Sequence, residues 1–319
     1  MAQSASAHRP DHSKQLTLTQ LLNQHLTALR VKGCSQYTVR NRLVHIRMFL
    51  RWCADNHVED VSQITLKTLE SYQRHIAEYR KPNGEPLTIT SQHARLVPLR
   101  VWFRWMAKQR YTKTNPATDL ELPRLGRMLP RNILSADEVE RVLRQPCLTT
   151  AIGLRDRAIL EVFYSTGIRR LELGHLKLAD VHFDRGLLLV REGKGGRDRY
   201  VPIGGRAMRW LRRYIGRSRP ELNCRSDEDT VFLSREGKAI SRDQLSWIAR
   251  KYVTAAQLGK SGSCHLFRHS MATLMHENGA DIRFVQQMLG HADIKTTQIY
   301  TQVAIPTLQR VHAQTHPAG

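Results

Sequence analysis

The sequence predicts a mainly α-helical protein in two parts: an N-terminal four-helix bundle, and an α+β unit with a small antiparallel sheet. Apolar residues recur at helical spacing through most of the chain up to about residue 110. A proline-rich stretch follows at 115–130, and alternating apolar residues are concentrated at 181–203. Helices repeat every 3.6 residues and strands every two, so the change of period indicates a change of architecture.

Four helices are predicted in the N-terminal part, at 16–29, 35–56, 65–79 and 88–110. The second has two candidate N-caps, Ser35 and Thr38, and the third follows Thr65. Pro98 lies inside the fourth range, where its missing N–H either kinks one helix or divides it into two. Residues 1–14 are polar, and we expect them to be disordered.

A linker is predicted at 119–131, between a domain at 15–118 and a second at 132–319. Three prolines and a glycine between 115 and 130 preclude a continuous helix there. In the second domain, Ser135 opens a helix with a capping-box pattern, and a buried helix over 155–166 is broken by Gly167. Strands are expected at 181–183, 187–190 and 198–203, and later helices at 265–279, 282–289 and 293–300.

The net charge of +22 and a pI near 10.4 favour a polyanionic partner. The five cysteines form no Cys-x-x-Cys pair, which argues against a disulfide framework or a zinc ribbon and indicates a reducing compartment. The start of the chain has no signal-peptide core, and no run of about 18 apolar residues is present. We therefore expect a cytoplasmic protein with no membrane partner.

Five short phrases in the second half contain the residues that can carry chemistry. They are Ser165–Leu173, Glu192–Gly196, His265–His269, Leu289–His291 and Thr296–Tyr300. Their candidate site residues are Arg169, Lys194, His265, Arg268, His291 and Tyr300, with Glu172 close by.

Each phrase also has a plain structural interpretation. Arg169 is as well suited to a salt bridge with Glu172 as to a phosphate, although only arginine offers two parallel donors. The glycines around Lys194 do not continue into a nucleotide-binding phosphate loop. His265 and His269 lie one helical turn apart, but the residue after His265 is a leucine rather than the glutamate of a zinc protease, so we expect no metal.

Taken in order, the five phrases resemble the tyrosine recombinase (phage integrase) family, and within it the Xer-type recombinases, from about Leu16 onward. The resemblance implies a helical core-binding domain followed by a catalytic domain. It further implies a site-specific recombinase that cleaves and rejoins DNA through a 3′-phosphotyrosyl intermediate and a Holliday junction. Neither a metal nor any other cofactor is implied.

By the same resemblance, Tyr300 is the nucleophile, Arg169 and Arg268 hold the scissile phosphate, and Lys194 protonates the leaving 5′ oxygen. Proton transfer is implied for His265, and support of the site for Glu172. This set suits the chemistry, because cations stabilise the charge that develops on the phosphoryl oxygens. The phenol, with an ordinary pKa of about 10, must lose its proton during attack.

The implied partner is double-stranded DNA, bound by a homo-tetramer or by a hetero-tetramer with a second recombinase. Candidate DNA-contacting residues are Arg40 and Arg47 on the polar face of the second helix, and Arg197 and Arg199 near the sheet. A tail helix from Pro306 is expected to dock into the next protomer, or else onto its own domain. Three alternatives stay open: a mobile-element integrase, a type IB topoisomerase-like enzyme and a non-catalytic DNA-binding protein.

Overall fold

The structure is a computed structural model that describes residues 16–126, 132–193, 197–223, 228–291 and 293–300. The chain divides into two compact units, Met1–Arg127 and Met128–Gly319. Within the described residues, no helix combines the length and the apolar character that crossing a membrane requires.

Four α-helices build the first unit. A Ser or Thr before each helix accepts a hydrogen bond from a backbone N–H of the first turn, which satisfies one of the donors left free at a helix start. The second helix is capped by Ser35 rather than Thr38. Apolar faces pack around Phe49 and Trp102, which are fully buried. The helices are α1 (Leu18–Val31), α2 (Gln36–Asp55), α3 (Leu66–Glu78) and α4 (Ile89–Lys108).

Pro98 does not divide the fourth helix. The α4 helix is continuous, and Pro98 is buried in it beside Leu99 and close to Trp102 and Phe103. The hydrogen bond that proline removes costs free energy, and burial of these side chains in the core of the unit offsets that cost.

The second unit contains eight α-helices in its described residues, together with a short π-helical stretch at Tyr214–Ser218. Its central element begins at Ala151, earlier than we predicted, and is buried on nearly all sides. The helices are α5 (Ala136–Leu143), α6 (Ala151–Thr166), α7 (Arg170–Gly174), α8 (Gly205–Arg213), α9 (Arg219–Leu222), α10 (Arg242–Ala255), α11 (Cys264–Glu277) and α12 (Ile282–Leu289).

A three-stranded antiparallel sheet packs beside α7 and α12, in the order β1 (Val181–His182), β2 (Leu187–Gly193) and β3 (Arg197–Pro202). Leu188 pairs with Val201, which sets the register of β2 and β3, and both side chains are buried. The pairing shifts between Val190 and Gly193, so the ladder is irregular near the end of β2.

The last described segment differs from our prediction. We expected one short helix over 293–300, but the chain forms two separate 3-10 turns, Ile294–Thr296 and Gln298–Tyr300. Thr297 lies between them and is fully buried. Tyr300 joins a small apolar cluster with Met271, Val285 and Leu289, so the segment is held by packing onto α11 and α12.

Candidate active site

Gly167 positions the first arginine of the site. This glycine ends α6 in the left-handed region, with φ of 58°, where glycine is favoured over any residue with a side chain. A Cβ at this position would lie 2.1 Å from Met271 Cε and 3.0 Å from Leu289 Cδ2, so α11 and α12 pack directly against it. The chain then turns, and Arg169 immediately precedes α7.

Glu172 links two arginines from different elements. Its carboxylate accepts hydrogen bonds from the backbone N–H and the Nη1 of Arg169, both at 2.8 Å. It also accepts from Nη1 and Nη2 of Arg199 in β3, at 3.0 and 2.8 Å. The Glu172 side chain is only 6% exposed, so this bridge lies largely out of water.

Arg268 brings the third guanidinium from α11 and is buried. Its Nη1 donates to the carbonyl oxygen of Gly167, and its Nη2 donates to that of Leu289 at 2.7 Å. Nη2 also lies 2.8 Å from Nε2 of His291. Burial and the neighbouring Arg169 lower the pKa of Arg268 to about 10, which leaves it charged at neutral pH.

We call Arg169, Arg199 and Arg268 the arginine cluster, because their guanidinium groups meet at the C-terminal end of α12. Each contacts a different backbone carbonyl there: Arg169 that of Gly290 at 2.9 Å, Arg199 that of Met288 at 3.3 Å, and Arg268 that of Leu289. These carbonyls have no partner within a helix, and the helix dipole makes this end negative.

Gly290 makes the close approach of Arg199 possible. It has φ of +62°, and a Cβ on it would lie 2.8 Å from both Nε and Cζ of the Arg199 guanidinium. A larger residue at this position would push Arg199 away from Glu172 and from the Met288 carbonyl. The Leu289–His291 phrase therefore contains the imidazole of His291 and, at Gly290, the space that the Arg199 guanidinium occupies.

Two histidines, His291 and His265, interact with Arg268. The Nδ1 of His291 is 2.8 Å from Oγ1 of Thr297, which orients the imidazole while its Nε2 faces Arg268. His265 is open to solvent at the start of α11. Partial burial of its ring, together with Arg268, Arg170 and Arg169, lowers its pKa and favours the neutral form.

Tyr300 is buried next to this arrangement, with 1% of its surface exposed. Its hydroxyl lies 3.0 Å from Nδ1 of His269, and the two rings are 5.7 Å apart. Burial raises the pKa of Tyr300, and the nearby Arg268 works in the opposite direction. Burial, with smaller electrostatic effects of His265 and Arg268, lowers the pKa of His269 to about 4.

The structure thus brings together five of the six predicted site residues. Lys194 lies outside the described residues, as do the tail helix predicted from Pro306 and the side chain of Arg197. Arg40 and Arg47 are exposed on α2 in the first unit. No cluster of three or more metal-ligating side chains is present in the described part of the chain.

Arg199, which we predicted to contact DNA, is largely buried in the second unit. Its side chain is 15% exposed, and its guanidinium is engaged by Glu172 and Met288. Sequence analysis also left unassigned the contact of His269 with Tyr300 and that of Thr297 with His291. No sequence signal links these pairs, because only the folded α11 and α12 bring them within reach.

The guanidinium groups converge beside a tyrosine in an α+β unit, which a four-helix unit precedes in the chain. This arrangement is suited to phosphodiester chemistry. Comparisons with known proteins agree with this interpretation. The Phage integrase family matches residues 132–305, and the Phage integrase, N-terminal SAM-like domain matches residues 21–113. The chain belongs to this family, as a Xer-type tyrosine recombinase, an enzyme of site-specific recombination.

Two curated relatives and one solved structure illustrate the similarity. Tyrosine recombinase XerC 2 of Ralstonia nicotianae is 46% identical over 303 residues, 95% of this chain and 87% of the relative. Tyrosine recombinase XerD of Pseudomonas putida is 36% identical over 300 residues, 94% of this chain and 98% of the relative. The crystal structure of the XerH site-specific recombinase bound to difH substrate, a pre-cleavage complex, superposes with a TM-score of 0.69 at 21% identity. That match covers 88% of this chain and 80% of the other, and it shows the fold.

Proposed function

We propose that Tyr300 attacks one phosphodiester of double-stranded DNA while Arg169, Arg268 and His291 hold its non-bridging oxygens. The observation that carries this proposal is the convergence of the arginine cluster and His291 beside the buried phenol. Guanidinium groups match a phosphate with parallel donors, and a site out of bulk water strengthens that interaction.

In the proposed step, the Tyr300 oxygen forms a bond to phosphorus and the bond from phosphorus to the 5′ oxygen breaks. The phenol loses its proton, and the leaving oxygen gains one from Lys194, our candidate general acid. The phenol proton passes to water through His265, whose neutral imidazole is open to solvent. A 5′ hydroxyl from a second duplex reverses the step, so the bond energy is retained and no cofactor is consumed.

The two units have separate tasks in this proposal. Residues 15–118 form the core-binding domain, in which Arg40 and Arg47 lie on the exposed face of α2 and contact phosphates. Residues 119–131 connect it to the catalytic domain at 132–319. Arg197 is kept as a DNA contact. We reassign Arg199 to holding Glu172, because its donors are engaged there.

Recombination between two duplexes requires four active subunits, and we propose a tetramer of this chain, or of this chain and a second recombinase, at DNA in the cytoplasm.

A cavity of about 540 Å³ beside the C-terminal part of α11, lined by Tyr164, Met271 and Met275, suits the apolar tail residues of a neighbouring subunit. Removal of residues 306–319 should then weaken assembly on DNA more than binding to a single site. Equal loss of both would indicate a tail docked on its own domain.

Covalent trapping tests the proposed reaction. The duplex is made from DNA flanking the gene, or from sequences that the protein selects out of a random pool. A nick next to the cleavage position lets the released fragment diffuse away, so the covalent product accumulates. Incubation without metal or ATP should give an SDS-resistant protein–DNA band with the wild-type protein and none with Tyr300→Phe. Retention of the band in that variant would refute the assignment of the nucleophile. As a control, Tyr300→Phe should still bind the duplex, which shows that the variant is folded.

A further inference from the structure

The contact between Tyr300 and His269 has no part in the reaction described above. The phenol oxygen lies 3.0 Å from Nδ1 of His269, and the tyrosine side chain is almost fully buried. A buried phenol O–H needs an acceptor, because an unpaired polar hydrogen out of water is costly. Nδ1 of His269 is the partner that the described residues provide.

The direction of this hydrogen bond follows from the charge on the ring. Burial, with smaller electrostatic effects of His265 and Arg268, lowers the pKa of His269 to about 4, so its imidazole is neutral at physiological pH. A neutral imidazole has one donor nitrogen and one acceptor nitrogen. With the phenol as donor, Nδ1 is the acceptor and Nε2 carries the hydrogen.

We propose that His269 is a positioning residue for the nucleophile, in which Nδ1 fixes the orientation of the Tyr300 hydroxyl relative to the arginine cluster. This inference rests on the proposed role of Tyr300. His269 and Arg268 are consecutive residues of α11, so one rigid helical turn carries both the acceptor of the phenol and a ligand of the phosphate. The helix therefore sets the distance between the attacking oxygen and the phosphorus.

Orientation has a large effect on such a step. A displacement of the reacting atom by about 1 Å costs roughly a hundredfold in rate. In the described part of the chain, Tyr300 lies in the 3-10 turn Gln298–Tyr300, whose hydrogen bonds have poorer geometry than those of an α-helix and restrain the backbone weakly. The hydrogen bond to His269 supplies a restraint at the reacting oxygen itself.

The positions of the two ring nitrogens allow an atom-specific test. Asparagine places its side-chain oxygen near the position of Nδ1, whereas glutamine reaches toward that of Nε2. Single-turnover cleavage of the nicked duplex is measured for His269→Asn, His269→Gln and His269→Ala. Loss of the acceptor in the Gln and Ala variants should slow cleavage by about ten- to a hundredfold, and Asn should recover most of that loss. Affinity for the intact duplex should stay the same, and His276→Ala on the same helix serves as a matched control.

Three outcomes would overturn the proposal. If Asn is as slow as Ala, while all variants unfold at the same temperature, His269 acts by taking the proton, which an amide cannot do. If Gln is as fast as Asn, the position of the acceptor has no importance. If every variant keeps the wild-type rate, the hydrogen bond does not affect attack.

A measurement without DNA separates this proposal from the proposed function. In the free protein, ¹⁵N NMR of the histidine side chains should show His269 with hydrogen on Nε2 and an unprotonated Nδ1, and Tyr300→Phe should shift the Nδ1 resonance. An Nδ1–H tautomer would refute the inference whatever the activity. Full cleavage by Tyr300→Phe would refute the proposed function instead.

Discussion

Replacing Glu172 by glutamine tests whether the carboxylate of this residue holds the arginine cluster in place. The substitution keeps the shape of the side chain and one acceptor oxygen, but it places an NH₂ group against guanidinium donors. The wild-type carboxylate accepts four hydrogen bonds of 2.8–3.0 Å, two from Arg169 and two from Arg199. With glutamine, about half of them are lost, and two partly buried cations are left without a compensating charge.

The expected loss of stability follows from this count. Hydrogen bonds to charged groups each contribute about 1.5–3 kcal/mol, and removing one partner of a buried ion pair costs about 3–5 kcal/mol. We therefore expect the free energy of unfolding of the catalytic unit to fall by about 3–5 kcal/mol. For a unit of this size that corresponds to a fall in Tm of roughly 6–20 °C.

The effect also has a defined pH dependence. Burial alone would raise the pKa of Glu172, but the bonds and charges of Arg199 and Arg169 outweigh it and hold this pKa below its ordinary value. A carboxyl group of this kind contributes its full stabilisation above the unfolded-state pKa and loses it as the pH falls through the lower folded-state pKa. The difference between wild type and Glu172→Gln should therefore be constant near neutral pH and shrink below about pH 4.5.

Urea unfolding followed by circular dichroism at several pH values is the assay. Asp229→Asn is the matched control, since Asp229 pairs with Lys177 at 2.9 Å but both side chains are well exposed. Exposed pairs contribute little, so this variant should unfold at the wild-type urea concentration. A Glu172→Gln protein as stable as wild type would mean that desolvation of the carboxylate cancels its bonds, and the argument from the bridge would fail.

Four further substitutions have expected outcomes. Arg268→Lys keeps the charge, but lysine cannot reach the acceptors on Gly167, Leu289 and His291 together, so covalent trapping should slow by about 10²–10³-fold. A smaller effect would mean that only the charge of Arg268 is needed and not its several donors. Gly167→Ala, in the left-handed region and against Met271, should lose at least about 1–3 kcal/mol in urea unfolding. Arg40→Gln and Arg47→Gln should each lower the salt dependence of log K by about one unit in DNA titrations, and unchanged slopes would remove them from the interface.

The elements of the fold were largely predictable because their signals are local. Ser35 and Ser135 cap their helices through side-chain bonds to residues three positions later, and an apolar repeat follows each. The outcome at Pro98 was not predictable, because it depends on tertiary packing of the same residues. The two 3-10 turns were missed for a similar reason: their apolar spacing fits a helix, but Thr297 is bonded to His291 and Tyr300 packs onto α11 and α12.

The site was predictable as a set of residues but not as an arrangement. Each phrase contains its chemical group within a few positions, so sequence alone identified the groups. Their mutual contacts join distant parts of the chain: Arg169 meets Gly290 across 121 residues, and Arg199 meets Glu172 across 27. A positive charge at Arg199 looked like a surface contact until the fold placed a buried carboxylate next to it.

The composition of the arginine cluster has a consequence for the lifetime of the protein. Among the described residues, two of the three guanidinium groups bond to one carboxylate, that of Glu172, and all three donate to dipoles of backbone carbonyls. Mutual repulsion therefore weakens the unit when no anion is bound, and a phosphodiester relieves it. A ligand that binds only the folded form raises its stability by mass action. Molecules on DNA should thus resist proteases better than free ones, so degradation would preferentially remove recombinase that has found no target.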